Sequence, residues 1–272
     1  MSPSIDLITL VIPSLNEAEN LDLLLAEVFR VLGPLLAEVI VVDDGSTDKT
    51  EELLAAIAGE EPRLIALRHA ATAGQSSAVR TGVRAAETPW VATLDADGQN
   101  PPDQLRALIA ARDALGSGRG RVGLIQGERT ERRDGSGRRW ASRLANRIRA
   151  AALGDGVRDS ACGLKLFQRR AYLDLPYFEH IHRFLPAMMR REGWDVLAVP
   201  VAHRPRAAGR SHYSNLGRAL VGIVDLVGAA WLLRRRSRTV PPGRTRRLAG
   251  EQEGAPRTDA PAPFGGARGT VR

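Results

Sequence analysis

Val91–Pro102, VATLDADGQNPP, joins a short, mostly apolar strand to two carboxylates and a double proline that stops it. An uncharged run of this length, bounded by turn residues, reads as a strand buried in an α/β sheet. Asp95 and Asp97 leave its end, and Gln99 follows two residues on. Carboxylates at the end of a buried strand can hold Mg²⁺ or Mn²⁺ against a diphosphate. The strand Val39–Val42 ends alike, in Asp43 and Asp44, followed by GSTD. Two acidic strand ends in one α/β half favour a nucleotide-linked donor. Neither GxGxxG nor GxxxxGK[ST] occurs, so dinucleotide and P-loop sites lose their main support.

The same alternation extends on both sides of this stretch. Ile5–Ile12 reads as a strand, and Asn16–Leu32 has helical spacing with Leu21, Leu24, Leu25, Val28 and Leu32 inward. Ser46 or Thr47 can cap a helix beginning near Asp48. Strand Arg63–Leu67, helix Ser76–Ala86, strand Trp90–Leu94 and helix Pro102–Leu115 continue parallel βαβ units. In such sheets ligands gather at the C-terminal strand ends, where Pro13–Glu17, Asp43–Ser46 and Asp95–Gln99 fall. Beyond Gly116 the expected elements are strand Val122–Gly127, helix Trp140–Leu153, strand Cys162–Phe167, helix Phe184–Arg191 and strand Trp194–Val201.

The chain of 272 residues is long enough for one substantial core. Its net charge of +8 is unevenly spread. From Arg234 onward there are ten arginines against three acidic residues, while the preceding part is close to neutral. The tail from 237 to 272 is rich in Pro, Gly and charge and reads as disordered. Arg234, Arg235 and Arg236 can meet anionic lipid head groups. No zinc spacing, aromatic RNA-binding motif or helix-turn-helix pattern accompanies the charge, so nucleic acid is not an expected partner. Leu216–Leu233 carries only Arg218 and Asp225 as charges. At about 1.5 Å per residue it reaches roughly 27 Å, near the lower limit for a bilayer core of about 30 Å. A carboxylate at the bilayer centre costs at least about 2.5 kcal/mol, so Asp225 favours a helix lying on a membrane or packed on a partner. A core helix is the plain alternative. The apolar run near Met1 lacks a basic segment before it and reads as a strand rather than a signal sequence.

Each candidate side chain also has an ordinary reading. An Asp-x-Asp pair often caps a helix, Asp44 and Glu17 sit where helices begin, and a basic loop is commonly just solvated. Asp44 could accept hydrogen bonds from a nucleobase or ribose, with Gly45 permitting the turn. Cys162 is the single cysteine, which excludes a disulfide framework and reads as a small buried residue. His180 and His182 have metal-like spacing without a further ligand nearby, so catalytic zinc is not expected. Asp159 can orient an arginine, meet an acceptor or cap a turn.

VIPSLNEAENL, VIVVDDGSTDKT, GQSSAVRTG and VATLDADGQNPP together resemble the N-terminal half of family-two glycosyltransferases of the GT-A fold. DSACGLKLF at Asp159–Phe167, His182–Phe184 and RPRAAGRSHY at Arg204–Tyr213 are similar to the polyprenyl-phosphate members of that family, the dolichyl-phosphate mannose synthase type. The resemblance covers roughly residues 5–235. It implies an α/β, mostly parallel sheet flanked by helices. It divides the chain into a nucleotide-sugar half at 1–115, an acceptor half of the same domain at 116–213, an interfacial or oligomerising helix at 214–236 and the tail. It places the nucleotide near Pro13, Glu17 and Asp44, and the metal and donor phosphates at Asp95, Asp97 and Gln99. Arg129, Arg132, Arg133 and Arg206 would meet the acceptor phosphate and the transferring group, joined by Asp159, His182 and Ser211. Where the family commonly has Ser-Lys-Tyr, this chain has Ser211, His212 and Tyr213.

The implied reaction moves a sugar from a UDP- or GDP-linked donor to a polyprenyl phosphate, with inversion, at the cytoplasmic face of the inner membrane, by a peripheral protein that can form homo-oligomers. The physical reading of the arginines agrees, since an anionic phosphate nucleophile needs bidentate holding rather than a strong base. A same-fold transferase with another lipid or glycan acceptor, a nucleotidyltransferase, and a non-catalytic membrane-recruited binding protein remain the alternatives.

Overall fold

The computed structural model describes residues 6–130, 153–154, 156–204 and 215–235. Arg132, Arg133, Arg206, Ser211, all but Leu153 of the helix expected over Trp140–Leu153, and the tail 237–272 lie outside those residues. All described residues fall within one compact unit.

β1 (Ile8–Ser14) is buried along its whole length, because helices cover both faces of the sheet. Ile8, Leu10 and Ile12 join Val39 and Val41 of β2 (Leu36–Asp43) in one core. That face is closed by α1 (Ala18–Leu32), α2 (Thr50–Glu60) and α4 (Leu105–Asp113). Val11, Ile40 and Val42 point the other way, toward α3 (Gln75–Ala85). Helices α5 (Arg169–Leu173), α6 (Leu185–Arg191) and α7 (Asn215–Arg234) contribute Tyr172, Met188 and Ala229 to this second core. Fully burying such a Leu, Ile or Val side chain contributes about 1.5–3 kcal/mol.

The remaining strands are β3 (Leu64–Arg68), β4 (Trp90–Thr93), β5 (Val122–Arg129), β6 (Lys165–Gln168) and β7 (Asp195–Val201). Their spatial order is β3-β2-β1-β4-β6-β5-β7. Every pairing is parallel except those of β6, which runs antiparallel to β4 and to β5. Register places Ser14 beside Asp43, and the C-terminal ends of β1, β2 and β4 share one edge of the sheet.

Two local expectations need correction. Neither Ser46 nor Thr47 caps α2: its N-cap is Lys49, and Asp48 Oδ1 just before it accepts from the Thr50 N–H at 3.0 Å and its hydroxyl at 2.6 Å. Ser46 is buried beneath the turn and accepts the Asn16 N–H at 2.8 Å, which removes it from the helix end. The strand expected from Cys162 begins only at Lys165. Residues 160–164 curl instead, because the Lys165 ammonium folds back onto the carbonyls of Ser160 and Cys162.

Candidate active site

The loops after β1 and β2 are bound to each other. Asp44 N–H donates to Ser14 O at 2.8 Å, and Thr47 N–H donates to Asn16 Oδ1 at 2.8 Å. Asp43 Oδ1 accepts the Ser46 N–H, while its Oδ2 pairs with Arg68 at 2.5 Å. Asp44 is turned under the 69–74 loop. Its oxygens accept from Ala73 N–H at 2.9 Å and Gly74 N–H at 2.7 Å, and Oδ1 lies 2.6 Å from His69 Nδ1. Gly45, at φ +77°, makes the turn; a Cβ there would meet the backbone of Ala71 and Thr72 at 3.0 Å. Asp44 is thus the brace of this loop pair, and Glu17 holds Asn20 Nδ2 at 2.6 Å at the start of α1.

At the end of β4, Asp95 faces a cavity of about 510 Å³. Gln75 Nε2 donates to its Oδ1 at 2.9 Å, and Asn100 Nδ2 approaches Oδ2 at 3.4 Å. Gly163 lies flush against this carboxylate: a Cβ there would sit 2.1 Å from Oδ2. Thr93 Oγ1 donates to Gly163 O at 2.8 Å and holds that approach. Burial, then the charge of Asp97, pushes Asp95 up from the ordinary aspartate value to about 6. Asp97 Oδ1 accepts the Gln99 N–H at 3.1 Å. Arg204 buttresses the turn from below, donating its Nε to Gly98 O and its backbone N–H to Gln99 O at 2.9 Å. Glu27 fixes that guanidinium at 2.8 Å.

These residues fit a hard divalent cation. The donor set is oxygen throughout, and a cation would offset the two effects that raise Asp95, its burial first and then the charge of Asp97. Among the described residues no group of three or more His, Cys, Asp or Glu side chains is gathered for a metal. Mg²⁺ is commonly held by only one or two carboxylates together with substrate phosphates.

The cavity also brings Pro13, Arg129, Lys165, His182 and Arg183 to Asp95. Val79, Phe167, Tyr172 and Leu185 make much of the remaining wall apolar. Asp159 holds Arg129 in a two-pronged pair, Nε to Oδ2 at 2.5 Å and Nη2 to Oδ1 at 2.9 Å. This contact raises the Arg129 pKa further and keeps it cationic. Burial lowers the Lys165 pKa and raises that of the Cys162 thiol, which is therefore a poor nucleophile. His182 Nδ1 lies 2.7 Å from Ser76 Oγ, and burial depresses its pKa to about 3, so its ring is neutral at pH 7. The two histidines do not converge on a metal: their rings are 6.4 Å apart, and His180 turns instead to Asp225.

Asp97, Gln99, Glu17 and Asp44 are not among the residues that line the cavity; Asp97 and Gln99 form the turn that follows Asp95, and Glu17 and Asp44 belong to the neighbouring loop pair. Sequence reasoning on single residues passed over Gln75, Asn100, Gly163, Lys165, Arg183 and Arg204. Lys165 carried a signal, being one of two lysines in an arginine-rich chain. Gly163 carried none, because its importance is a distance to Asp95.

A mostly parallel sheet whose strand ends present Asp95 and Asp97 beside a basic, half-apolar cavity defines a GT-A-like nucleotide-sugar transferase fold. The chain belongs to glycosyl transferase family 2, whose family signature matches residues 9–175. It is 34% identical over 227 residues to undecaprenyl-phosphate 4-deoxy-4-formamido-L-arabinose transferase of Pseudomonas paraeruginosa, covering 82% of this chain and 65% of that protein. The protein of the same name from Yersinia enterocolitica is 32% identical, covering 78% and 64%. The chain thus spans about two thirds, or slightly less, of the length of these relatives. Glucosyl-3-phosphoglycerate synthase from Mycobacterium tuberculosis, crystallised with Mn²⁺, UDP and phosphoglyceric acid, superposes with a TM-score of 0.62 at 19% identity, covering 87% of this chain and 80% of that one. A mannosyltransferase from Pyrobaculum calidifontis in complex with GDP-mannose and Mn²⁺ gives 0.60 at 21% identity, covering 86% and 66%.

Proposed function

We propose that this protein transfers a sugar from a UDP- or GDP-linked donor to a polyprenyl phosphate, releasing nucleoside diphosphate and inverting the anomeric centre. The observation that carries the reading is the cavity itself, with a carboxylate fit for a metal at one wall and cations among apolar side chains at the others. An acceptor that is a phosphate on an isoprenoid has this double character. The names of the curated relatives support the same acceptor class.

A bound Mg²⁺ or Mn²⁺, held by Asp95, Asp97 and Gln99, would compensate the charge of the departing diphosphate. The chain's own residues do the rest. Arg129, held rigid by Asp159, presents a fixed guanidinium to an anionic group. Gln75 and Gly163 hold the Asp95 carboxylate in one orientation. The neutral His182 and the protonated Cys162 supply neither a strong base nor a nucleophile. A phosphate acceptor needs neither, so single displacement with inversion follows. In this reading Pro13 lines the nucleotide's side of the cleft, Asp44 braces the loop behind it and Glu17 stands at the start of α1 beside it, while Arg132, Arg133, Arg206 and Ser211 are expected to meet the acceptor.

Nucleotide sugars are cytoplasmic and the acceptor is embedded in lipid, so the reaction belongs at the cytoplasmic face of the inner membrane. Among the described residues no helix is long and apolar enough to cross a membrane. The surface of α7 is consistent with peripheral contact: Ile223, Val224, Val227 and Trp231 are exposed along it, with Arg235 stacked 5.1 Å from the Trp231 ring.

The test is release of nucleoside diphosphate from a panel of UDP- and GDP-sugars with Mg²⁺ or Mn²⁺, with and without undecaprenyl phosphate. Release from one donor only when the lipid phosphate is present, abolished by Asp97→Ala, is the expected result. Metal-dependent donor binding without lipid-stimulated release would sink the polyprenyl-phosphate acceptor and favour a different acceptor on the same fold.

A further inference from the structure

Asp225 is the only charged residue between Arg218 and Arg234, in the middle of an otherwise apolar helix. It does not face solvent freely. Its Oδ2 lies 2.8 Å from Nδ1 of His180, both atoms shielded from water and set off the line of an ideal hydrogen bond. His180 in turn is left-handed, at φ +63°. That conformation costs a non-glycine residue about 1–2 kcal/mol, so neighbouring structure must hold it. His180 opens the 3₁₀ turn Ile181–Arg183, and its carbonyl accepts the Arg183 N–H at 3.0 Å.

The last two side chains of that turn reach the cavity. His182 meets Ser76 Oγ at 2.7 Å, and the adjacent Gln75 donates to Asp95. Arg183 lines the same cavity. A continuous series of contacts therefore runs from helix α7, through His180 and its turn, to the lining of the cavity that Asp95 faces.

We propose that Asp225 is a positioning residue for the transfer step: through His180 it fixes the 180–183 turn, so that His182 and Arg183 hold their places around the incoming phosphate. This rests on the transferase reading above. The loops after β1 and β2 on the nucleotide side are tied to each other and to the 69–74 loop by their own hydrogen bonds, so donor affinity is expected to stay near the parent value.

The experiment compares Asp225→Ala, His180→Asn, their double variant and Asp225→Glu. Asn tolerates the left-handed backbone but is too short to reach α7. Each single variant is expected to lower kcat/KM for undecaprenyl phosphate about tenfold, within the range that a sub-ångström to 1 Å misplacement produces. The double variant should be no worse than either single one, and Asp225→Glu should recover most of the loss. The dissociation constant of the donor with Mn²⁺ and the melting temperature should stay at the parent values. Undiminished turnover in Asp225→Ala, additive losses in the double variant, or a parallel fall in donor affinity and melting temperature would each overturn the proposal. If the unsubstituted chain turns over no lipid phosphate, the acceptor reading itself fails, and this inference with it.

Discussion

Asp95 is caught between two demands. Its burial and the nearby charge of Asp97 push its carboxyl to about 6, yet the proposed metal site needs it ionised. Because the folded value exceeds the ordinary 3.8, the folded protein holds an extra proton between those limits. The group's contribution to stability is therefore present at low pH and is lost as pH rises through about 6. Cation binding has the opposite sign, since it requires the deprotonated ligand. Mn²⁺ affinity measured by calorimetry should be level above pH 7 and fall by up to about tenfold per unit below pH 6. Asp95→Asn should remove that pH dependence along with most of the affinity. His182, already neutral throughout this range, should leave the profile unchanged when replaced by Gln. Gly163 gives a second prediction at this scale. In Gly163→Ala the methyl group would overlap Asp95 at 2.1 Å, so the carboxylate must move. Mn²⁺-dependent donor binding should drop at least tenfold, as expected for a site displaced by about 1 Å. Thermal unfolding should show a fold that is retained.

At the level of elements, the acidic turn after β4 depends on a neighbour remote in sequence. Arg204, just beyond β7, reaches Gly98 and Gln99 while Glu27 on α1 holds its guanidinium. Arg204→Ala should weaken metal and donor binding about tenfold, the loss of one or two charge-assisted hydrogen bonds. Glu27→Gln should give a smaller loss in the same binding assay. Helix α7 divides its residues between two tasks. Leu226, Ala229, Leu232 and Leu233 face the second core, and Arg191 holds the helix end through the carbonyls of Leu232 and Arg235. Ile223, Val224, Val227 and Trp231 remain outside. Val227→Asp with Trp231→Glu should reduce sedimentation with vesicles rich in anionic lipid while leaving donor binding intact. Equal vesicle binding by this variant would remove α7 as the membrane contact.

For the molecule as a whole, a site built by two loops and a strand end should report ligand binding as global stability. Mn²⁺ with the correct nucleotide sugar at about 100 times the dissociation constant adds about 2.7 kcal/mol, or roughly 5–10 °C in Tm at this size. EDTA should reverse the shift. How much of this architecture was legible in the chain differs by physical cause. The periodicities of β1, α1, β2 and β4 are local properties of side chains, and the inward face of α1 is the one its spacing indicates. The acidic strand ends were legible for the same reason, since parallel strands bring their C-terminal ends to one edge. The antiparallel direction of β6 was not, because pairing partners are chosen by non-local hydrogen bonds. Nor was the binding of Asp44 by a loop some thirty residues on, or the contact of Asp225 with His180. The sequence alone determined the class of sheet, the position of Asp95 and Asp97, and the family. Only the tertiary structure decided which carboxylates face a cavity and which are spent on loops, because that depends on distances between segments far apart along the chain.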